Sequence, residues 1–125
     1  MILLLDSHAL VWWLSDHPVL TRTARSVIAD PANEILVSAA SVWELAMKRA
    51  AGKLDIVADL AAAIEAAGFI GLPITLADAE AAAALPLRHK DPFDRMLVAQ
   101  AARLDAVVVS RDPAFASYDI HVMPA

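Results

Sequence analysis

Met1-Ile2-Leu3-Leu4-Leu5-Asp6 is a short apolar run that ends at an acid. A run of this length is typical of a strand buried on both faces of a parallel sheet. A signal peptide would need a basic leader and a longer apolar segment, so a strand is the better interpretation. Ala106–Val109 is a second run of this kind, and Asp112 follows it after three residues. We therefore predict two buried strands, each followed closely by a carboxylate.

The rest of the chain alternates short apolar runs with longer segments of helical periodicity, which predicts βαβ units, a mainly parallel sheet and an α/β fold. The further predicted strands are Ile35–Ser38, Phe69–Ile74 and Ile120–Met123. The predicted helices are a first one through Leu10 and Leu14, then Thr21–Ala29, Ser41–Ala51, Asp55–Ala67, Leu76–Leu85 and Pro92–Leu104. The 125 residues fit one compact domain spanning the whole chain.

The composition excludes several classes of protein. A hydrophobic content of 59% excludes a disordered chain. No apolar run approaches the roughly 18 residues of a membrane span, so we expect no membrane association. The absence of cysteine excludes disulfides and thiolate metal sites and agrees with a cytoplasmic protein. The three glycines form no phosphate-binding loop of the usual kind. The net charge of −5 argues mildly against nucleic-acid binding.

Four acids are placed at the ends of strands or the starts of helices. Asp6 follows the first strand, and Asp112 follows the strand Ala106–Val109. Glu44 falls in the first turn of the predicted helix Ser41–Ala51, and Asp94 in the first turn of Pro92–Leu104. In a parallel α/β sheet these positions share one rim, where ligands bind at the reversal of strand order. We therefore expect the four carboxylates to converge.

Helix capping offers another explanation for each acid taken alone. Ser41-Val42-Trp43-Glu44 has the form of a capping box, and Asp91-Pro92 has the form of an N-cap followed by proline. Capping does not explain why neighbouring elements carry acids at one rim. Clustered carboxylates repel unless a cation neutralises them, and oxygen ligands suit Mg²⁺ or Mn²⁺ rather than zinc. Such a site predicts phosphodiester hydrolysis.

These segments carry a resemblance to a known family. The chain is similar to PIN-domain toxins of the VapC type in the order and spacing of four segments, across essentially its whole length. The segments are Leu4–Trp13 with Asp6-Ser7, Ser41–Glu44, His89–Ala101 with Asp91-Pro92-Phe93-Asp94-Arg95, and Val109–Phe115 with Ser110-Arg111-Asp112. No single motif decides the resemblance, but the ordered set is specific.

The resemblance implies a parallel sheet sandwiched by helices and an acidic quartet of Asp6, Glu44, Asp94 and Asp112. It matches Ser110 to the small hydroxyl residue beside the last acid. It also implies RNA cleavage with Mg²⁺ or Mn²⁺, a homodimer, and inhibition by a cognate antitoxin protein. We assign the metal to Asp94 and the helix cap to Asp91, although the reverse assignment stays open.

Other side chains have two interpretations each. Arg88, Lys90, Arg95 and Arg111 adjoin the proposed ligands and could bind RNA phosphates, or they could be surface charges and ion-pair partners. His89-Lys90-Asp91 superficially suggests a ligand pair, but a surface loop is the favoured interpretation. Trp43 is expected in the core, and Lys48 on an exposed helix face.

Two competing functions stay open at this point. A PIN-fold module could bind an antitoxin without useful nuclease activity, although the intact quartet disfavours this. A phosphatase that forms an aspartyl-phosphate would need Asp-x-Asp after the first strand. The chain has Asp6-Ser7-His8 there, which disfavours that class.

Overall fold

One five-stranded parallel sheet organises the chain. The computed structural model describes residues 1–125. The strands are β1 (Ile2–Leu5), β2 (Glu34–Ser38), β3 (Ile70–Leu72), β4 (Val107–Val109) and β5 (His121–Met123). Their order across the sheet is β3-β2-β1-β4-β5, and all four neighbouring pairs are parallel.

Six α-helices connect the strands. They are α1 (Ser7–Leu14), α2 (Arg22–Ala29), α3 (Ala39–Ala50), α4 (Leu60–Ala66), α5 (Leu76–Ala84) and α6 (Pro92–Leu104). A 3₁₀ helix, Pro113–Ser117, joins β4 to β5. The predicted α/β class with a parallel sheet is confirmed. No helix is long and apolar enough to cross a membrane.

Apolar side chains cover both faces of the sheet. Leu3 and Leu5 of β1 belong to one buried cluster and Leu4 to a second, because successive side chains of a strand point to opposite faces. The first cluster draws on α1, α2, α3 and α4. The second draws on α6 and the 3₁₀ helix, and α5 packs against α6. Helices therefore lie on both faces.

The strand order reverses at β1. From β1 the chain adds β2 and β3 on one side, then returns to add β4 and β5 on the other. Leu5 and Val109 are register partners at the carboxyl ends of β1 and β4. This reversal is the position where open α/β sheets bind ligands, and Asp6 and Ser110 are the next residues of the two strands.

Two helices begin two or more residues away from the predicted start. Helix α3 begins at Ala39 rather than Ser41, because the Ser38 hydroxyl caps it by accepting a hydrogen bond from the Ala40 N–H. Helix α4 begins at Leu60 rather than Asp55. The preceding segment is not helical, and its side chains at Leu54 and Ile56 pack against the core at a spacing of two. Asp59 caps α4.

Candidate metal centre

Asp6 and Ser110 connect the ends of β1 and β4. Asp6 is buried and caps α1, with its Oδ1 accepting a hydrogen bond from the Ala9 N–H at 2.8 Å. The Ser110 hydroxyl donates to Asp6 Oδ2 at 2.5 Å. Burial raises the pKa of Asp6, and the charge of Glu44 adds to this, while the bonds from Ser110 and Ala9 oppose it. The carboxylate is thus held in one orientation at the switch point.

Asp94 lies in the first turn of α6, where Asp91 is the N-cap. Asp91 Oδ1 accepts hydrogen bonds from the N–H groups of Phe93 and Asp94, so the Asp94 carboxylate is free of the capping role. Burial raises the pKa of Asp94 to about 6, and the charges of Asp91 and Glu44 act in the same direction. A hydrogen bond with His89 opposes these effects. A nearby cation would relieve the cost of this buried charge.

Glu44 occupies the second turn of α3, which corrects the prediction of a first-turn position. Ser38 takes the capping role, so the Ser41–Glu44 capping box is not formed. Glu44 is only 8% exposed, and its charge raises the pKa of both Asp6 and Asp94. Lys48, expected on an exposed helix face, donates to Glu44 Oε2 at 3.1 Å. Glu44 therefore belongs electrostatically to the same rim as the two aspartates.

Asp112 caps the 3₁₀ helix with one carboxylate oxygen, and its side chain is half exposed. Its Oδ1 accepts from the Ala114 N–H at 2.9 Å, and its own N–H donates to the Ser110 hydroxyl. Ser110 thus connects Asp6 and Asp112, because its hydroxyl donates to the Asp6 carboxylate and accepts from the Asp112 N–H. The side chain of Asp112 is 42% exposed, which leaves it open to a ligand from solvent.

His89 is the functional candidate that the sequence prediction missed. It does lie in the loop before α6, but its Nε2 is 2.8 Å from Asp94 Oδ2 and 4.0 Å from Asp112 Oδ2. One ligand atom from each of these three residues lies within 4.8 Å of the others. The signal in the sequence was His89-Lys90-Asp91, which suggested a ligand pair but was assigned to a surface loop.

The donor set fits a divalent cation. Of the four predicted acids, Asp94 and Asp112 offer convergent atoms, together with His89. Asp6 and Glu44 lie outside this group of ligand atoms and add buried carboxylates whose charges interact. Each carboxylate oxygen of Asp6 accepts one hydrogen bond and keeps a second lone pair for another ligand. Carboxylates in this arrangement are the ligands that Mg²⁺ and Mn²⁺ use.

The four basic residues predicted to bind RNA differ in how far their side chains are engaged in contacts within the protein. Arg95 donates to the carbonyl oxygens of Ala82 and Leu85 at 2.9 Å each, so its guanidinium is engaged inside the protein. Arg111 donates to the carbonyl of Ala125 and lies 4.9 Å from the ring centroid of Trp12. RNA contact by these two stays a prediction.

Arg88 and Lys90 are both exposed beside the centre. Arg88 donates to the carbonyl of Ser117 at 2.6 Å, whereas Lys90 forms no salt bridge. Lys90 therefore has the freest charge of the four.

Trp43 was predicted to lie in the core, and this prediction is wrong. The side chain is 61% exposed, and its ring meets Phe93 edge to face at 5.2 Å between centroids. The buried residues of α3 are Ala40, Ser41, Glu44 and Leu45, so Trp43 lies off the buried stripe. An aromatic pair thus stands next in sequence to two of the four acids.

The comparison with protein families agrees with the fold. The model of the PIN domain matches residues 3–120. The chain belongs to the PIN domain family. A comparison with the sequences of curated proteins gives no match.

Several solved structures share this fold. VapBC2 from Rickettsia felis, bound to a DNA fragment from its promoter, has a TM-score of 0.73 at 14% identity, covering 99% of this chain and 98% of that one. FitAcB from Neisseria gonorrhoeae has a TM-score of 0.62 at 20% identity, covering 98% and 96%. VapBC-5 from Mycobacterium tuberculosis, a member of the VapBC family of toxin-antitoxin systems, has a TM-score of 0.60 at 18% identity, covering 98% and 96%. At these identities the likeness concerns the fold.

Proposed function

We propose that this PIN domain protein is a metal-dependent ribonuclease and the toxin component of a type II toxin–antitoxin system. The observation that carries the proposal is the group of ligand atoms from Asp94, Asp112 and His89, which Ser110 links to the buried Asp6 at the switch point between β1 and β4. Asp6 and Ser110 are bonded there, and Asp94 and Asp112 face one imidazole. Membership of the PIN domain family and the solved toxin–antitoxin complexes of the same fold support it.

Asp6, Glu44, Asp94 and Asp112 would hold the cation, which we propose to be Mg²⁺ or Mn²⁺. When bound, such an ion lowers the pKa of a water molecule and stabilises negative charge on a phosphodiester. Ser110 keeps the Asp6 carboxylate in position through its short hydrogen bond and fixes the backbone of Asp112 through a second one. Lys48 balances part of the charge of Glu44.

The partners follow from the same proposal. We infer an RNA substrate, a cognate antitoxin protein and a homodimer, in a cytoplasmic setting. Two solved structures of this fold are described as toxin–antitoxin systems, which supports the antitoxin as a partner. Lys90 is exposed and forms no salt bridge, so it is the basic residue best placed to contact an RNA phosphate near the acids. Arg88 is exposed beside it.

RNA cleavage by purified, antitoxin-free protein tests the proposed activity. A panel of single-stranded and structured RNAs is incubated with Mg²⁺, with Mn²⁺ or with EDTA. Wild-type protein is compared with Asp6→Asn and Asp94→Asn, each shown by circular dichroism to be folded. We expect metal-dependent cleavage by wild type and a loss of at least 100-fold in both variants, because each removes a charged ligand of the ion.

Asp119→Asn is the matched control, since Asp119 is exposed and precedes β5 at the opposite end of the sheet. It should cleave like wild type. Equal cleavage by wild type, Asp6→Asn and Asp94→Asn would contradict the site assignment. A folded, metal-bound wild type that cleaves no RNA of the panel would favour a module that engages an antitoxin without nuclease activity.

A further inference from the structure

The loop that carries His89 is held in place on both sides of that residue. The His89 N–H donates to the Tyr118 hydroxyl at 3.1 Å, and the His89 carbonyl accepts from Arg95 at 3.3 Å. The Tyr118 hydroxyl also donates to the Pro86 carbonyl at 2.9 Å. Tyr118 is buried, and Arg95 is bonded to the end of α5. The backbone of His89 is therefore fixed by contacts from two separate parts of the chain, Tyr118 and Arg95 of α6.

The imidazole of His89 faces the carboxylates. Its Nε2 lies 2.8 Å from Asp94 Oδ2 and 4.0 Å from Asp112 Oδ2. The ring packs edge to face on Phe115, with 6.5 Å between centroids. The side chain is 21% exposed, so it is largely covered by protein. A solvated loop histidine would show none of these contacts.

The separations match those around one metal ion. With metal–ligand bonds near 2.1 Å, neighbouring ligands of an octahedral ion are roughly 3 Å apart and opposite ligands roughly 4 Å apart. Both distances from His89 Nε2 lie in this range. Building on the metal-dependent activity proposed above, we propose that His89 Nε2 is a direct metal ligand together with Asp94 and Asp112.

A nitrogen ligand changes which ion the site prefers. Imidazole binds transition-metal ions well, whereas Mg²⁺ binds oxygen ligands and keeps several water molecules. A centre that adds one imidazole to the carboxylates therefore prefers Mn²⁺ to Mg²⁺ by more than the carboxylates alone would. We expect the ratio of Mg²⁺ to Mn²⁺ dissociation constants to fall at least fivefold in His89→Gln.

Pulsed electron paramagnetic resonance of the Mn²⁺-loaded protein tests the proposal directly. Bound ¹⁴N of a ligating imidazole gives a hyperfine coupling that changes when the histidines are labelled with ¹⁵N. We expect this coupling in wild type and in His121→Gln, and its loss in His89→Gln. His121 is a matched control because it is exposed at the start of β5, away from the acids.

A second variant covers the case in which His89→Gln does not fold. Replacing His8, His17 and His121 together by glutamine leaves His89 as the only histidine, and the nitrogen coupling should persist. Mn²⁺-loaded wild type without any nitrogen coupling would overturn the proposal. So would a coupling that survives in folded His89→Gln.

Calorimetric titration with Mn²⁺ and Mg²⁺ separates this proposal from the proposed function. If wild type binds neither ion, or Asp94→Asn binds both as wild type does, the metal centre itself is wrong. If binding requires Asp94 but wild type shows no nitrogen coupling, the centre stands and His89 is not a ligand. An unchanged ratio of the two dissociation constants in His89→Gln would also overturn the ligand role.

Discussion

Burial of the Asp94 carboxylate makes its charged form unfavourable. Its carboxylate lies among Asp91, Glu44 and His89, and the cost of burying a charge raises its pKa to about 6 from an ordinary value of 3.8. Because the pKa is higher in the folded protein, protonation favours the folded state. This contribution is present in full below pH 3.8 and is lost as the pH rises through about 6. A bound cation would remove the conflict.

Asp94→Asn should therefore stabilise the metal-free protein at alkaline pH. The neutral amide avoids the buried charge, so we expect a gain of about 2 kcal/mol at pH 8 and much less at pH 4.5. Urea unfolding in EDTA at the two pH values measures this difference. A gain of equal size at both would show that the charge of Asp94 is not its cause.

Ser110→Ala should weaken the metal centre without unfolding the protein. The variant loses the hydrogen bond to Asp6 and the acceptor for the Asp112 N–H. Residues that orient metal ligands typically cost 10- to 100-fold in metal affinity or activity when removed, and we expect a loss of about that size. Calorimetry with Mn²⁺ gives the affinity. Ser117→Ala, at an exposed hydroxyl bonded only to the Ala114 carbonyl, is the control and should bind Mn²⁺ like wild type.

At the scale of elements, α5 and α6 are joined by a buried acid outside the metal centre. Asp78 of α5 accepts two hydrogen bonds from Arg103 of α6, at 2.6 and 3.0 Å. It also completes a capping box with Thr75 at the start of α5. The hydrogen bonds of Arg103 lower the pKa of Asp78 to about 2. Asp78 thus fixes the helix that leads into the His89 loop.

Asp78→Asn should destabilise the fold. Hydrogen bonds to charged groups contribute about 2 kcal/mol each, and we expect a loss of that order in the free energy of unfolding at pH 7. Because the pKa is lowered on folding, the stabilisation is present above pH 3.8 and is lost as the pH falls through about 2. Chemical unfolding measures the loss. Glu80→Gln, on the same helix and exposed, should change stability by less than about 0.5 kcal/mol, and an equal loss in both would contradict this role.

Helices were predicted correctly where the capping residues at their ends and the spacing of their apolar residues agree with how they pack. Helix α6 has the bounds predicted, because Asp91 and Pro92 form a strong start and its apolar residues share one face. The start of α3 was missed because Ser38 and Ser41 both suit an N-cap, and only the end of β2 decides between them. The start of α4 was missed because the segment before it is not helical, although its Leu54 and Ile56 pack on the core.

The candidate site was predictable in part for the same reason. Acids at strand ends and helix starts can be placed from sequence, because the topology of a parallel sheet brings those positions together. The orientation of His89 cannot, since it depends on Tyr118, 29 residues away. Trp43 was misplaced because its residue type suggested a core position, whereas helix phase puts it off the buried stripe.

For the whole molecule, the net charge of −5 favours cation binding, and binding of the proposed ion to the folded state would stabilise the protein. An ion that binds only the folded state stabilises it by about 2.7 kcal/mol at one hundred times its dissociation constant. We expect Mn²⁺ at that level to raise the Tm by roughly 10 °C over the EDTA-treated protein. Thermal unfolding at constant ionic strength measures it. Asp119→Asn should respond like wild type, and an equal rise in Asp94→Asn would mean that the ion binds elsewhere.

We propose that one cation binds among the carboxylates at the carboxyl ends of β1 and β4. Anomalous X-ray scattering from crystals soaked in Mn²⁺ would locate the ion independently of any activity. We expect a peak within bonding distance of Asp94 and Asp112, with Asp6 and Glu44 in the same centre. Ordered Mn²⁺ bound only elsewhere, with these four carboxylates accessible to solvent in the crystal, would contradict it.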